Sequence, residues 1–180
     1  MLKVKEIKIN GSCIELNHPN LVIVEIGINH NVSIKKACKM VDASKELGAE
    51  SIKHQTHVIE DEMIAEAKKV IPGNTDISIY DVMDRCALDE QDEIKLKKYV
   101  ETKGMIFLST PFSKVAADRL ERMGVFADKF GSGYCDIFTL VEHIASFGKL
   151  MIVSTGMNDI IPVRKMVNIL YNPCTSLSRV

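Results

Sequence analysis

The sequence predicts an α/β fold, a partial (β/α)8 TIM barrel of about five βα units preceded by an N-terminal β-hairpin. Three observations predict it. Short continuous apolar runs recur along the chain, as in strands buried on both faces of a parallel sheet. Four amphipathic stretches between them each end at a glycine, directly before the next run. The stretch after the first run carries polar side chains and one glycine, where a doubly wound sheet would carry a glycine-rich phosphate loop.

Taken in order, Lys5 to Ile9 and Cys13 to Leu16 flank Asn10-Gly11-Ser12, a turn signal that predicts the hairpin. Leu21 to Ile26 is the first barrel strand. The helix expected over Ile34 to Leu47 shows the stripe Ile34, Ala37, Cys38, Val41 and Leu47, takes Ser33 as N-cap and stops at Gly48. Ser51 to Lys53 follows as a weaker strand. Asp89 to Lys103, ending at Gly104, precedes the strand Met105 to Leu108. Lys114 to Met123, ending at Gly124, precedes Ala127 to Phe130. Phe138 to Phe147, ending at Gly148, precedes Leu150 to Val153. Each crossover helix returns the chain to the same end of the sheet, so the strands run parallel. Residues 1–20 are assigned to the hairpin extension and 21–180 to an incomplete barrel domain. Tyr171 to Val180, with Asn172-Pro173 and several Ser and Thr, reads as an unstructured end.

Composition excludes whole classes of function. The 180 residues are 46% hydrophobic and 26% charged, the balance of a globular protein. A formal charge of -1 from 23 basic and 24 acidic residues offers no field for nucleic acid or anionic lipid. No apolar run approaches the ~18 residues that cross a bilayer, and Met1 to Asn10 lacks the apolar core of a signal peptide, so a cytoplasmic location is expected. The cysteines, Cys13, Cys38, Cys86, Cys135 and Cys174, form no CxxC pair and predict neither a disulfide framework nor a zinc knuckle.

Barrels do their chemistry at the C-terminal ends of the strands. There the chain has Glu25 with Asn29-His30-Asn31, Lys53-His54-Gln55-Thr56-His57, Ser109-Thr110-Pro111-Phe112-Ser113, Lys129 with Gly131-Ser132-Gly133, and Ser154-Thr155-Gly156-Met157. Every strand end is polar. Any one of them alone reads as a solvated charge or a helix cap; five in one array predict a site. Lys53 and Lys129, with Ser132 and Ser154 beside turn and helix-start N–H groups, suit the phosphate or carboxylate of a small acid. His54 and His57 lie three apart on a strand and point to opposite faces, which argues against a shared metal. His18 and His143 show no ionisable partner in the sequence.

These motifs, with Pro72-Gly73-Asn74, resemble the bacterial sialic acid synthases, including N-acetylneuraminate, legionaminate and pseudaminate synthases, from Leu21 to about Asn158. The resemblance implies condensation of phosphoenolpyruvate with an N-acylated hexosamine such as N-acetylmannosamine, release of phosphate, and use of manganese or magnesium. By the same resemblance Lys53, Lys129, Ser132 and Ser154 would bind phosphoenolpyruvate. Glu25, Gln55, Asn74 and Thr110 would contact the sugar or position the reacting centre. Tyr134 stands where the family usually has glutamate, and Val32 where it usually has glycine. The family's two metal-ligating histidines lie on later strands, and its C-terminal antifreeze-like domain lends an arginine to the partner of a homodimer. Both regions are expected to be absent here, so that the chain by itself is expected to be inactive and prone to self-association or aggregation. Two other readings remain, a non-catalytic remnant or interaction module, and a Schiff-base aldolase using Lys53 or Lys129.

Overall fold

The computed structural model describes residues 7–9, 11–15 and 18–171. Cys174 and the 172–180 segment expected to be unstructured lie outside the described residues, as do parts of the hairpin. Strands β1 (Ile7–Ile9) and β2 (Ser12–Ile14) pair antiparallel. Strands β3 (Ile23–Gly27), β4 (Ser51–Thr56), β5 (Ile106–Pro111), β6 (Ala127–Phe130) and β7 (Leu150–Val153) form one parallel sheet in that sequential order, as expected.

Helices α1 (Ile34–Glu46), α4 (Glu90–Thr102), α5 (Lys114–Arg122) and α6 (Phe138–Ser146) stand where the amphipathic stretches predict them. Ser33 caps α1 by accepting the Lys36 N–H at 3.2 Å. Gly48, Gly104, Gly124 and Gly148 close the four helices with φ between 66° and 85°, left-handed values that cost other residues a Cβ clash. Helices α2 (Ile59–Glu62) and α3 (Ile79–Asp84) are too short to show a stripe, and α7 (Ile160–Leu170) carries one in Val163, Met166 and Leu170; none of the three was expected. Pro162 sits in the first turn of α7, where its missing N–H has no helical acceptor to lose.

The two-residue period of the strands sorts side chains between two layers. Val24, Ile26, Ile52 and Phe107 pack outward against Ala37 and Val41 of α1 and Leu96 and Val100 of α4. Phe130, Met151 and Val153 pack outward against α5, α6 and α7. Ile23, Leu108, Ala127 and Ile152 face the concave side, where Ile9 of the hairpin joins them. The hairpin therefore covers the N-terminal ends of the strands and leaves the C-terminal ends open.

Candidate active site at the C-terminal strand ends

Alternation places Glu25, Lys53, Gln55, Thr110 and Lys129 on the concave face, in phase with Ile23, Leu108 and Ala127. The register sets them side by side: Glu25 is the β-partner of Lys53, and Gln55 of Thr110. Lys53 pairs with Glu25. Burial, and then the neighbouring Lys129, push the Lys53 ammonium down from 10.5 to about 8. Glu25 is half-exposed, so its partnership is screened by water and leaves Lys53 depressed. Lys129 is also lowered, chiefly by burial; its Nζ donates to Ser154 Oγ at 2.6 Å and to the Phe130 carbonyl at 2.8 Å.

Two cations on one concave face, with a single screened carboxylate on the far side of Lys53, form a place for an anion. The loop after β6 closes one side. Ser132 begins a short 3-10 turn, and its carbonyl accepts from Asn158 Nδ2 at 2.5 Å, tying it to the segment after Ser154. The Thr110 methyl lies 3.8 Å from where a Cβ on Gly131 would stand. Thr110 is 2% exposed, and its hydroxyl has no hydrogen-bond partner. An unpaired buried hydroxyl costs about 1–3 kcal/mol, which a ligand oxygen would recover.

Gly27 makes room on the β3 side. Its φ is +49°, and a Cβ there would meet Glu25 Oε1 at 3.3 Å and Gln55 Nε2 at 3.5 Å. Asn74 is not brought into the array. It is exposed in the turn that Pro72 and Thr75 close, and no hydrogen bond among the described residues joins it to the other candidates. Tyr134 stays protonated, because burial and then Glu62 push its hydroxyl up to about 12.

The histidines divide as their spacing predicts. His54 points outward, fully buried, with its Nε2 3.0 Å from His30 Nε2 and its Nδ1 3.3 Å from Glu93 Oε1; Arg119 completes the chain at 3.0 Å from Glu93. His57 points to the mouth and bonds Glu62 and Gln55 at 2.7 and 3.3 Å. The other two histidines take the surface or satisfied roles expected by default. His143 pairs with Asp118 at 2.7 Å, and His18 with Glu15 at 3.2 Å. Both partnerships come from folding, one helix against another and one turn back on itself, which the sequence alone does not display.

Among the described residues, only Cys13, Glu15 and His18 gather three metal-ligating atoms. They lie on and after the hairpin, away from the polar strand ends. The mouth residues present do not by themselves fit the manganese or magnesium that the resemblance implies.

Residues 40–178 match the NeuB family. An uncharacterised protein of Methanocaldococcus jannaschii is 32% identical over 169 residues, 94% of this chain and 47% of that protein. The N,N'-diacetyllegionaminic acid synthase of Legionella pneumophila is 30% identical over 170 residues, 92% of this chain and 47% of that protein. The chain spans about half the length of the curated relatives it matches. Among solved structures, the N-acetylneuraminic acid synthetase of Leptospira borgpetersenii, in complex with citrate, superposes with a TM-score of 0.84 at 24% identity, covering 96% of this chain and 57% of that one. That likeness speaks to the fold.

Proposed function

The chain belongs to the NeuB family, and from that membership we propose that it carries the phosphoenolpyruvate side of a synthase active site. The reaction joins the methylene carbon of phosphoenolpyruvate to the carbonyl carbon of an N-acylated hexosamine such as N-acetylmannosamine, while water adds at the carbon bearing the phosphate and phosphate leaves, giving a nonulosonic acid. The observation that carries the reading is the convergence of Lys53, Lys129 and Ser154 on one concave face.

Lys53 and Lys129 neutralise phosphate and carboxylate, Ser132 and Ser154 add donors, and burial strengthens each contact. Glu25 and Gln55 lie on the side of the face away from Lys129 and Ser154, and Thr110 offers its free hydroxyl between the two sides. They contact the sugar or position the reacting centre, while Asn74 would have to approach with its turn. No step is routed through a metal ion, since the mouth residues do not hold one. The reading places the protein in the cytoplasm, where phosphoenolpyruvate is available.

Calorimetric titration of the full chain with phosphoenolpyruvate tests this. Binding weakened at least tenfold by Lys129→Ala and by Lys53→Ala is expected; affinity untouched by both substitutions rules the reading out. The depressed Lys53 ammonium would also suit a Schiff base. Borohydride trapping of pyruvate on Lys53 would favour that alternative over the synthase.

A further inference from the structure

The role of Gln55 depends on which way it faces, because an amide offers an acceptor on one side and donors on the other. We propose that His57 and Glu62 are positioning residues that hold the Gln55 amide with its NH2 group turned into the barrel mouth, so that Gln55 acts only as a donor to an oxygen of the bound sugar. The proposal rests on the synthase reading of the mouth.

The geometry is over-determined around the imidazole. His57 Nδ1 lies 2.7 Å from Glu62 Oε2, and its Nε2 lies 3.3 Å from Gln55 Oε1. A carboxylate facing Nδ1 and a carbonyl oxygen facing Nε2 are both satisfied when the ring donates from each nitrogen. The ring cannot easily turn away. It stacks on Phe112 with centroids 4.3 Å apart, and Phe112 in turn meets the edge of Tyr134 at 5.1 Å. Nor is the contact rinsed by water, since the side chains of His57 and Glu62 are only 1% and 4% exposed.

With its oxygen held by His57, the Gln55 amide has one direction left for its nitrogen. Gln55 Nε2 is 3.5 Å from where a Cβ on Gly27 would stand, on the side of Glu25. Lys53 engages Glu25 through Oε2, and no hydrogen bond among the described residues uses the Gln55 NH2 group, so its donors remain for a ligand. The group that fits between Gln55 and Thr110 is therefore an acceptor such as a carbonyl or hydroxyl oxygen. Local sequence makes the device. Gln55 and His57 are two apart at the end of β4 and share a side, and the single turn of α2 brings Glu62 back onto His57.

Nitrogen NMR of the labelled, ligand-free full chain tests the orientation. Both ring nitrogens of His57 are expected at imidazolium shifts, with a nuclear Overhauser contact from the Gln55 amide protons to the Gly27 α-protons. In Glu62→Gln the ring keeps one proton, the amide turns its NH2 group to the bare nitrogen, and the Gly27 contact disappears. His57→Phe keeps the stack on Phe112 and is expected to free the amide to rotate. N-acetylmannosamine affinity is expected to fall about tenfold in both variants, with phosphoenolpyruvate affinity within twofold. Adding Gln55→Ala to Glu62→Gln is expected to cost no more. A contact from the Gln55 amide protons to the His57 ring in the unmodified chain, or a Gly27 contact that survives Glu62→Gln, overturns the proposal. Failure of the unmodified chain to bind phosphoenolpyruvate would count against the synthase reading instead, and the ligand-free spectra would still decide the orientation.

Discussion

Val32 sits at φ 60°, directly after Asn31 at 47°. A β-branched side chain in the left-handed region is a true outlier, and the resemblance marks this position as one where glycine is usual. Val32→Gly is expected to raise stability by about 1 kcal/mol, the strain removed exceeding the chain entropy that glycine adds. The urea midpoint reads this out, and an unchanged or lower midpoint would show that the loop absorbs the strain. Lys53 gives a second prediction at this scale. Unfolded, it holds its proton to 10.5, whereas folded it releases it near 8, so between those values the unfolded chain binds more protons and this residue makes stability rise with pH. Ligand binding runs the other way, because a phosphate needs the charged amine. Phosphoenolpyruvate affinity is expected to fall about tenfold from pH 7 to pH 9, as the protonated fraction falls through that pKa. In Lys53→Arg, charged throughout, titration should show no such fall; an equal decline in the variant would assign the effect to another group.

At the scale of elements, the strands and the four glycine-closed helices are legible because each buries a face, and burial writes its period into the sequence. Helices α2 and α3 escape that reading because four and six residues are too few to display a period. The polar residues at the strand ends were legible by their place directly after apolar runs, and the register sets Lys53, Gln55 and Thr110 on adjacent strands. What joins them across strands was not legible. The pairing of His30 with His54 spans 24 positions and depends on sheet register, and nothing in the sequence says where the turn carrying Asn74 lies. Glu93 of α4 is fully buried between His54 of β4 and Arg119 of α5, so it stitches three elements together. Glu93→Ala strips Arg119 of its closest carboxylate and is expected to destabilise the chain by about 3 kcal/mol. Thermal unfolding checks this. A loss below about 1 kcal/mol would mean that Glu90, 3.8 Å from Arg119, takes over the pairing.

For the molecule as a whole, the decisive feature is that β3 and β7 are the two edges of the described sheet and do not pair with each other. A closed barrel has no edges and surrounds its reactants; an arc of five strands holds one ligand against a wall and leaves its other side to water. The half-site for phosphoenolpyruvate is local to that wall, so weak binding should persist in a polypeptide of these residues. Polarising the sugar carbonyl is different, because it needs charge placed where the oxygen develops it. Neither a three-ligand metal group nor an ionisable carboxylate in place of Tyr134 stands there among the described residues. Such polarisation is commonly worth several kcal/mol, at about 1.4 kcal/mol for each tenfold in rate. The 180-residue chain, incubated with phosphoenolpyruvate, N-acetylmannosamine and manganese, is therefore expected to release phosphate at least about a hundredfold more slowly than the ~10 s⁻¹ of an ordinary enzyme. Turnover near that ordinary rate, abolished by Lys53→Ala, would show that the five-stranded wall assembles a complete site, through self-association that pairs its edges or through groups not recognised in it. Sedimentation at the assay concentration separates the two, since only association makes the rate per chain rise with protein concentration.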